Sequence, residues 1–471
     1  MARTSRRPSE ASLIRAAWAL AALLFACAFS LNGYSHYTTV LAVLTLLAAA
    51  TAAANTQASL ILVVATPALD AFGVLVEYPW VTSVFQVVLV ASLAGVTYRA
   101  IRHRERMRPW VTLWDVGILV FLSAVVLSVP LSQDLSRSLL GTIQIAAEVG
   151  MYVLLSRAAP LGESRRRIGS AVVLVGVISA LIATTQEFAP HFAPPLLDPL
   201  PHASGSSFLP LRATALFLNP NSLALLLVLA AVIATERTLR SEITRERWFW
   251  GAAGFSCAIG VGATFSRQGL IGLFIGVLAT VLMASPSLRA IIVSAALILG
   301  LTIAVFVIPG LDVRARSIFG FQSDPSAMDR IYLSRVSVEM FRDHPATGIG
   351  IGAFMSTYPR YRDSRVTVSP VTDGHQMPFS IPAETGVLGL AAELLMVGLF
   401  VYLIPRARAL ARSGIDVSGL AATYAFLAMS LFNVFYFAEY IWVALALVGS
   451  ALRSASLGLI PVTSRDDGGS A

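Results

Sequence analysis

His375 stands where a side chain can do acid–base chemistry, in the polar stretch Asp373-Gly-His375-Gln376-Met-Pro378 directly ahead of an apolar run. Imidazole titrates near neutral pH, so a histidine there suits removal of a proton from an incoming hydroxyl. Arginine supplies the complementary chemistry, because its planar fork binds phosphate oxygens bidentately and stays charged. Arg267 lies in a turn with almost no loop between two apolar runs, Arg330 in a long polar stretch, and Arg212 in a proline-rich segment. Each of these residues also has a plainer explanation. His375 can be an interfacial or capping histidine, Arg267 can snorkel to a membrane surface, and Arg330 can pair with Asp324, Asp329 or Glu339. Glu384 either orients His375 or caps the helix that follows. Asn219 and Asn221 read as caps of a helix starting near Ser222. The other histidines, His36, His103, His191, His202 and His344, form no metal-ligand spacing.

The element that carries Arg330 belongs to a loop over 309–383. Pro309-Gly310 opens it as a turn, and Ser326-Ala-Met-Asp329 has the spacing of a capping box. A helix over about 327–343 is predicted, with Arg330, Ser334, Ser337 and Phe341 on one face. His344-Pro345 ends it, since the residue before a proline leaves the helical region. Gly348-Ile-Gly350-Ile-Gly352 then allows backbone to come close to another segment. It is not a dinucleotide fingerprint, which needs a strand before it and a helix opening within it. Tyr358-Pro-Arg360-Tyr361-Arg362 is either an amphipathic interface segment or a contact for sugar or phosphate. Pro378 and Pro382 are expected to interrupt the approach to the next apolar run, and Gly386 and Gly389 to let helices pack closely.

Composition sets the surroundings of these elements. The 471 residues are 56% hydrophobic and 13% charged, about half the charge of a soluble domain. This excludes a disordered chain and speaks against a soluble enzyme. The two cysteines, Cys27 and Cys257, sit in apolar runs, which excludes a disulfide framework and a cysteine zinc site. Runs of about 20 apolar residues that can cross a bilayer occur at 12–31, 37–54, 58–76, 80–98, 110–131, 139–156, 168–185, 221–235, 248–265, 269–285, 290–308, 384–404, 418–435 and 439–455. An all-α polytopic membrane protein of 12–14 spans is expected, 14 being favoured, with 12–31 read as a retained first helix rather than a signal peptide. The basic charge is carried by 34 arginines and no lysine. Twenty-three of them, Arg453 included, fall in clusters separated by even numbers of spans. The positive-inside rule places these clusters and both termini in the cytoplasm. That accounts for the net charge of +8 without a nucleic-acid partner. The eleven others, among them Arg212, Arg267 and Arg330, face outward, as does the loop 309–383, whose length points to function.

Four segments resemble, in order, the O-antigen ligase and polymerase superfamily of membrane glycosyltransferases. His375-Gln376, nine residues, Gly386, two residues and Gly389 match the family's histidine pattern in full. Phe217-Leu-Asn219-Pro220-Asn221-Ser222 is similar to its Asn-Pro-Asn element. Thr264-Phe-Ser266-Arg267-Gln268-Gly269 is similar to its Ser-Arg-Gly element, with Gln268 interposed. Asp329-Arg330 with His344-Pro345-x-x-Gly348-x-Gly350 resembles its Arg-helix-Pro-Leu-Leu-Gly stretch, with Ala346-Thr347 in place of the leucines.

The resemblance implies a GT-C-like fold and inverting glycan transfer on the outer face of the cytoplasmic membrane, from a polyprenyl-diphosphate-linked donor. The acceptor would be a lipid core (ligase) or a second lipid-linked chain (polymerase), and neither metal nor other cofactor is expected. Carried over residue by residue, His375 would be catalytic, and Arg267 and Arg330 would bind diphosphate. Arg212 adds to that set, with Gln376, Glu384 and Asn219 in support. The expected organisation is N-terminal spans over 1–213, a catalytic region over 214–405 and C-terminal spans over 406–471. A lipid-linked-glycan flippase is the main rival, but no internal repeat is found and the within-span acids Asp70, Asp115, Glu148 and Glu393 are scattered. A non-catalytic export partner is the other, and the His375 pattern argues against it.

Overall fold

The computed structural model describes residues 36–69, 74–76, 82–102, 111–158, 162–192, 212–284 and 325–456. The expected spans 12–31 and 290–308, and the loop up to residue 324, lie outside the described residues. The chain divides into two compact units, Met1–Pro109 and Trp110–Ala471.

In the first unit α1 (His36–Ala54), α2 (Thr56–Ala65) and α3 (Val84–Arg102) pack together. Asn55 separates α1 from α2 and caps the latter, its side chain accepting the N–H groups of Gln57 and Ala58. The expected single span over 58–76 is corrected here. α2 stops at Ala65, a 3-10 turn covers Thr66–Leu69, and β1 (Val74–Val76) pairs antiparallel with β2 (Thr82–Ser83). Pro67 lacks the N–H that continuing the helix would require.

The second unit is helical: α4 (Leu113–Ser128), α5 (Leu135–Ala158), α6 (Gly162–Phe188), α7 (Pro220–Arg240), α8 (Thr244–Ala263), α9 (Arg267–Ala284), α10 (Pro325–Asp343), α11 (Phe354–Thr357), α12 (Met377–Arg412), α13 (Ser418–Ser430) and α14 (Glu439–Ser456). The C-terminal helices are part of this unit and not a separate one. α7 is its centre. It packs against α6, α8, α9, α13 and α14, and every residue from Leu223 to Glu236 is buried, as a helix apolar on all sides requires. Large apolar side chains also face outward, among them Leu119, Leu174, Leu181 and Val401. Among the described residues six helices, α3, α5, α6, α7, α9 and α12, are long and apolar enough to cross a membrane. This is the build of a multi-pass membrane protein. Two other expected spans change their limits: 110–131 becomes the 16-residue α4, and 418–435 ends at Ser430.

Charged groups settle at one end of the unit. Asp115 is not a mid-span acid; it closes a capping box with Thr112 at the start of α4. It also accepts the Tyr152 hydroxyl at 2.7 Å and pairs with Arg453. Arg453, expected among the arginines that only set orientation, is thus buried in an ion pair at 4% exposure. Nearby along the same helix ends, Arg165 donates to Ser454 at 3.1 Å. Glu236 accepts the N–H groups of Val417 and Ser418 at 2.9 and 2.7 Å and pairs with Arg240 at 2.8 Å. Helix direction then puts the turns bearing Arg212, Arg267 and His375 at the opposite end.

α10 begins at Pro325, two residues earlier than expected, and the Ser326–Asp329 capping box is not its start. A proline fits a helix's first turn, where no N–H is needed. Asp329 instead accepts from the Thr367 N–H at 2.7 Å, the Thr367 hydroxyl at 2.8 Å and the Val368 N–H at 3.1 Å, tying the loop to the helix. Leu333, Val336 and Met340 of α10 bury against Ile349, Phe354 and Val371, which holds the loop down.

Candidate active site

The first half of the site is a junction of two helix starts. Asn219 caps α7 as expected, its Oδ1 accepting the Asn221 N–H at 2.8 Å, with Pro220 in the first turn. Asn221 is not a second cap. Its Oδ1 accepts from Arg212 Nη2 at 3.0 Å and from Ser266 Oγ at 2.9 Å. Arg212 also donates through Nε to the Thr264 carbonyl at 2.9 Å. Phe265 turns the chain at φ 49, and Ser266 Oγ accepts the Gly269 N–H at 3.2 Å. Arg267 is then the first residue of α9. Arg212 and the distant Ser266, 45 positions along the chain from Asn221, therefore meet at one asparagine oxygen. The starts of α7 and α9 meet there beside Arg212, and helix starts favour an anion.

The second half is built on a broken helix. Pro378 and Pro382 do not interrupt the approach as expected, since α12 runs through both from Met377. The break is at Gly386, whose φ 68 and ψ −157 are open only to glycine. Its role is thus a backbone break rather than close helix packing. Three backbone groups at the break bond to the 345–350 stretch. Ile349 N–H donates to the Ala383 carbonyl at 2.9 Å, Gly350 N–H to the Glu384 carbonyl at 3.0 Å, and Val387 N–H to the Pro345 carbonyl at 2.8 Å. Irregular backbone at membrane depth survives only when satisfied in this way. The close approach predicted for the glycines is real: a Cβ on Gly348 would lie 2.3 Å from the Glu384 carbonyl carbon.

Glu384 belongs to this break and does neither of the things expected of it. Its Oε2 accepts the Gly352 N–H at 3.0 Å and the Tyr436 hydroxyl at 2.6 Å. The carboxylate on His375 is Asp373, which the sequence reading passed over. Asp373 Oδ1 accepts the His375 N–H at 2.7 Å and lies 3.0 Å from His375 Nδ1. Thr372 Oγ1 donates to the other oxygen at 3.0 Å. Burial by itself would raise the Asp373 carboxyl, but the His375 contacts outweigh it and hold the group below its ordinary value. His375 adopts φ 56 and its side chain is 25% exposed, so the ring is anchored and still reachable. Gln376 precedes α12 in the cap position without a side-chain capping bond.

Both halves border the turn 431–438, which the sequence reading had taken for span ends. Arg330 donates through Nε to the Phe432 carbonyl at 2.9 Å, while Tyr436 reaches Glu384. α9, headed by Arg267, packs along α13, which leads into this turn. Phe217, just before Asn219, lies 6.2 Å from the Tyr440 ring at the start of α14. The turn thus links the helix of Arg330 to the helix that follows His375. An apolar cavity of about 100 Å³ adjoins it, lined in part by Met377, Ile381, Phe426, Tyr436 and Trp442. In the aromatic and basic stretch, Arg365 grips Asp363 and stacks on Tyr332 at 4.4 Å, and Tyr361 donates to Asp343.

The His375 imidazole can accept a proton, Arg212 and Arg330 are each held by oxygens of the same unit, and an apolar recess adjoins Tyr436. Residues 252–394 match the family model described as O-Antigen ligase. The match takes in Arg267, Arg330, Asp373, His375 and Glu384; Arg212, Asn221 and Tyr436 join the site through the fold. No curated protein matches the chain.

Proposed function

We propose that this multi-pass membrane protein, whose residues 252–394 match the family model described as O-Antigen ligase, transfers a glycan from a polyprenyl-diphosphate-linked donor to a hydroxyl acceptor. The acceptor oxygen attacks the anomeric carbon, forming the new glycosidic bond as the bond to the diphosphate oxygen breaks. The hydroxyl proton passes to His375, and the polyprenyl diphosphate leaves. Attack opposite the leaving group inverts the anomeric centre. Arg267 and Arg330, with Arg212 held by Asn221, supply the positive charge that a departing diphosphate needs. The apolar recess beside Met377 and Trp442 suits the first part of a prenyl chain. By the arginine sidedness this takes place on the outer face of the cytoplasmic membrane.

The observation that carries this reading is His375, held on an anchored turn within the family-matched region and in the same helical unit as Arg267 and Arg330. The test is transfer from a lipid-linked donor in proteoliposomes. His375→Ala should lower transfer by about 100-fold or more at unchanged protein level; a wild-type rate in that variant removes the mechanism. Deleting the gene separates the two acceptors. Loss of long chains with single units still transferred indicates polymerase, and long untransferred lipid-linked chains indicate ligase.

A further inference from the structure

We propose that Asp373 is the positioning residue of the site: it fixes the His375 imidazole through Nδ1 and thereby turns Nε2 to the acceptor hydroxyl. This rests on His375 being the base. The family's histidine pattern begins at His375 and leaves position 373 unspecified, so the assignment comes from the geometry of this chain.

One carboxylate oxygen does two things at once. Asp373 Oδ1 takes the His375 backbone N–H at 2.7 Å and faces the ring nitrogen of the same residue at 3.0 Å. The first contact sets the backbone and the second sets the ring. Thr372 holds the other oxygen at 3.0 Å, so the carboxylate is itself oriented. His375 sits at φ 56, a region that non-glycine residues seldom occupy and that persists where the surroundings enforce it. The turn is also pressed from below. A Cβ on Gly374 would meet Ser380 Oγ at 2.5 Å and Ser337 Oγ at 2.6 Å, and both serines are fully buried. Asp373 and His375 are therefore seated on α10 and α12 together, at the end where Arg330 is held.

With a proton on Nδ1 donated to Asp373, the neutral ring has its lone pair on Nε2, the form that accepts a proton. During transfer the acceptor's proton moves to Nε2, and the resulting imidazolium is stabilised by the Asp373 carboxylate, which stays ionised. An amide in its place keeps an oxygen for the His375 N–H but removes that stabilisation and also allows the opposite tautomer.

The experiment compares Asp373→Asn, Asp373→Glu and His375→Ala in proteoliposomes with a lipid-linked donor. Asp373→Asn should lower kcat by about 10- to 100-fold, with donor KM and protein level near wild type. Asp373→Glu should recover part of the rate. A wild-type kcat in Asp373→Asn, beside an inactive His375→Ala, overturns the role of Asp373 while leaving the base in place. A rise in KM or a loss of protein with kcat per folded molecule unchanged means a structural role only, and overturns it too. Activity persisting in His375→Ala instead defeats the underlying reading.

Discussion

At the scale of single residues, side chains of ordinary type acquire their work from the partners the fold gives them. Asn221 reads as a helix cap, yet its oxygen is the point where Arg212 and Ser266 meet. Replacing it by aspartate keeps the one oxygen that accepts both bonds and adds a negative charge beside Arg212. Asn221→Asp should therefore retain wild-type thermal stability while donor KM rises by about 10-fold, equivalent to about 1.4 kcal/mol. An unchanged KM would mean that this junction does not meet the anionic donor. Asp373 gives a pH dependence of definite sign. Its carboxyl is held below the ordinary 3.8, with burial opposing and the His375 contacts prevailing. Its stabilising contribution is thus fully present above that ordinary value and is lost as pH falls through the lower folded value. In Asp373→Asn the acid-side loss of thermal stability should be correspondingly smaller, as scanning the detergent-solubilised protein from pH 6 downward would reveal.

At the scale of elements, the break in α12 is made by one glycine and met by backbone groups of Pro345, Ile349 and Gly350. Apolar periodicity announces a span near 384–404, and it is there, but periodicity says nothing of where a helix gives up its hydrogen bonds. Gly386 at φ 68 and ψ −157 needs the absence of a side chain, and a Cβ there would lie 2.4 Å from the Ala346 carbonyl oxygen. Gly386→Ala should destabilise the protein by at least about 1–3 kcal/mol and release the 345–352 segment. Thermal unfolding in detergent measures the first and proteolysis of the loop the second; a fully stable, protease-resistant variant would contradict the assignment. The Asp329 carboxylate, which by spacing closes a capping box, turns instead to Thr367 and Val368 of the loop.

At the scale of the molecule, the two ends of the second unit carry different work. Glu236 lies at the end away from His375, with its side chain 2% exposed, and it accepts two backbone N–H groups. Glu236→Ala should cost about 1–3 kcal/mol for each donor it orphans yet leave transfer per folded molecule unchanged. A loss of specific activity without loss of stability would show that the ends are coupled. The amino-acid sequence alone determined that this is a helical membrane protein, because apolar run length and arginine clustering are local quantities read directly from residue order. It also determined His375, Arg267 and Arg330 as the chemical candidates, because a motif keeps its residue types adjacent. Tertiary structure alone decided their partners. Asp373 instead of Glu384 on His375, Phe432 on Arg330, and Asn221 between Arg212 and Ser266 are contacts fixed by backbone turns and helix breaks. The Arg330 and Asn221 contacts span up to 102 positions along the chain, and no periodicity of single residues records contacts across such separations.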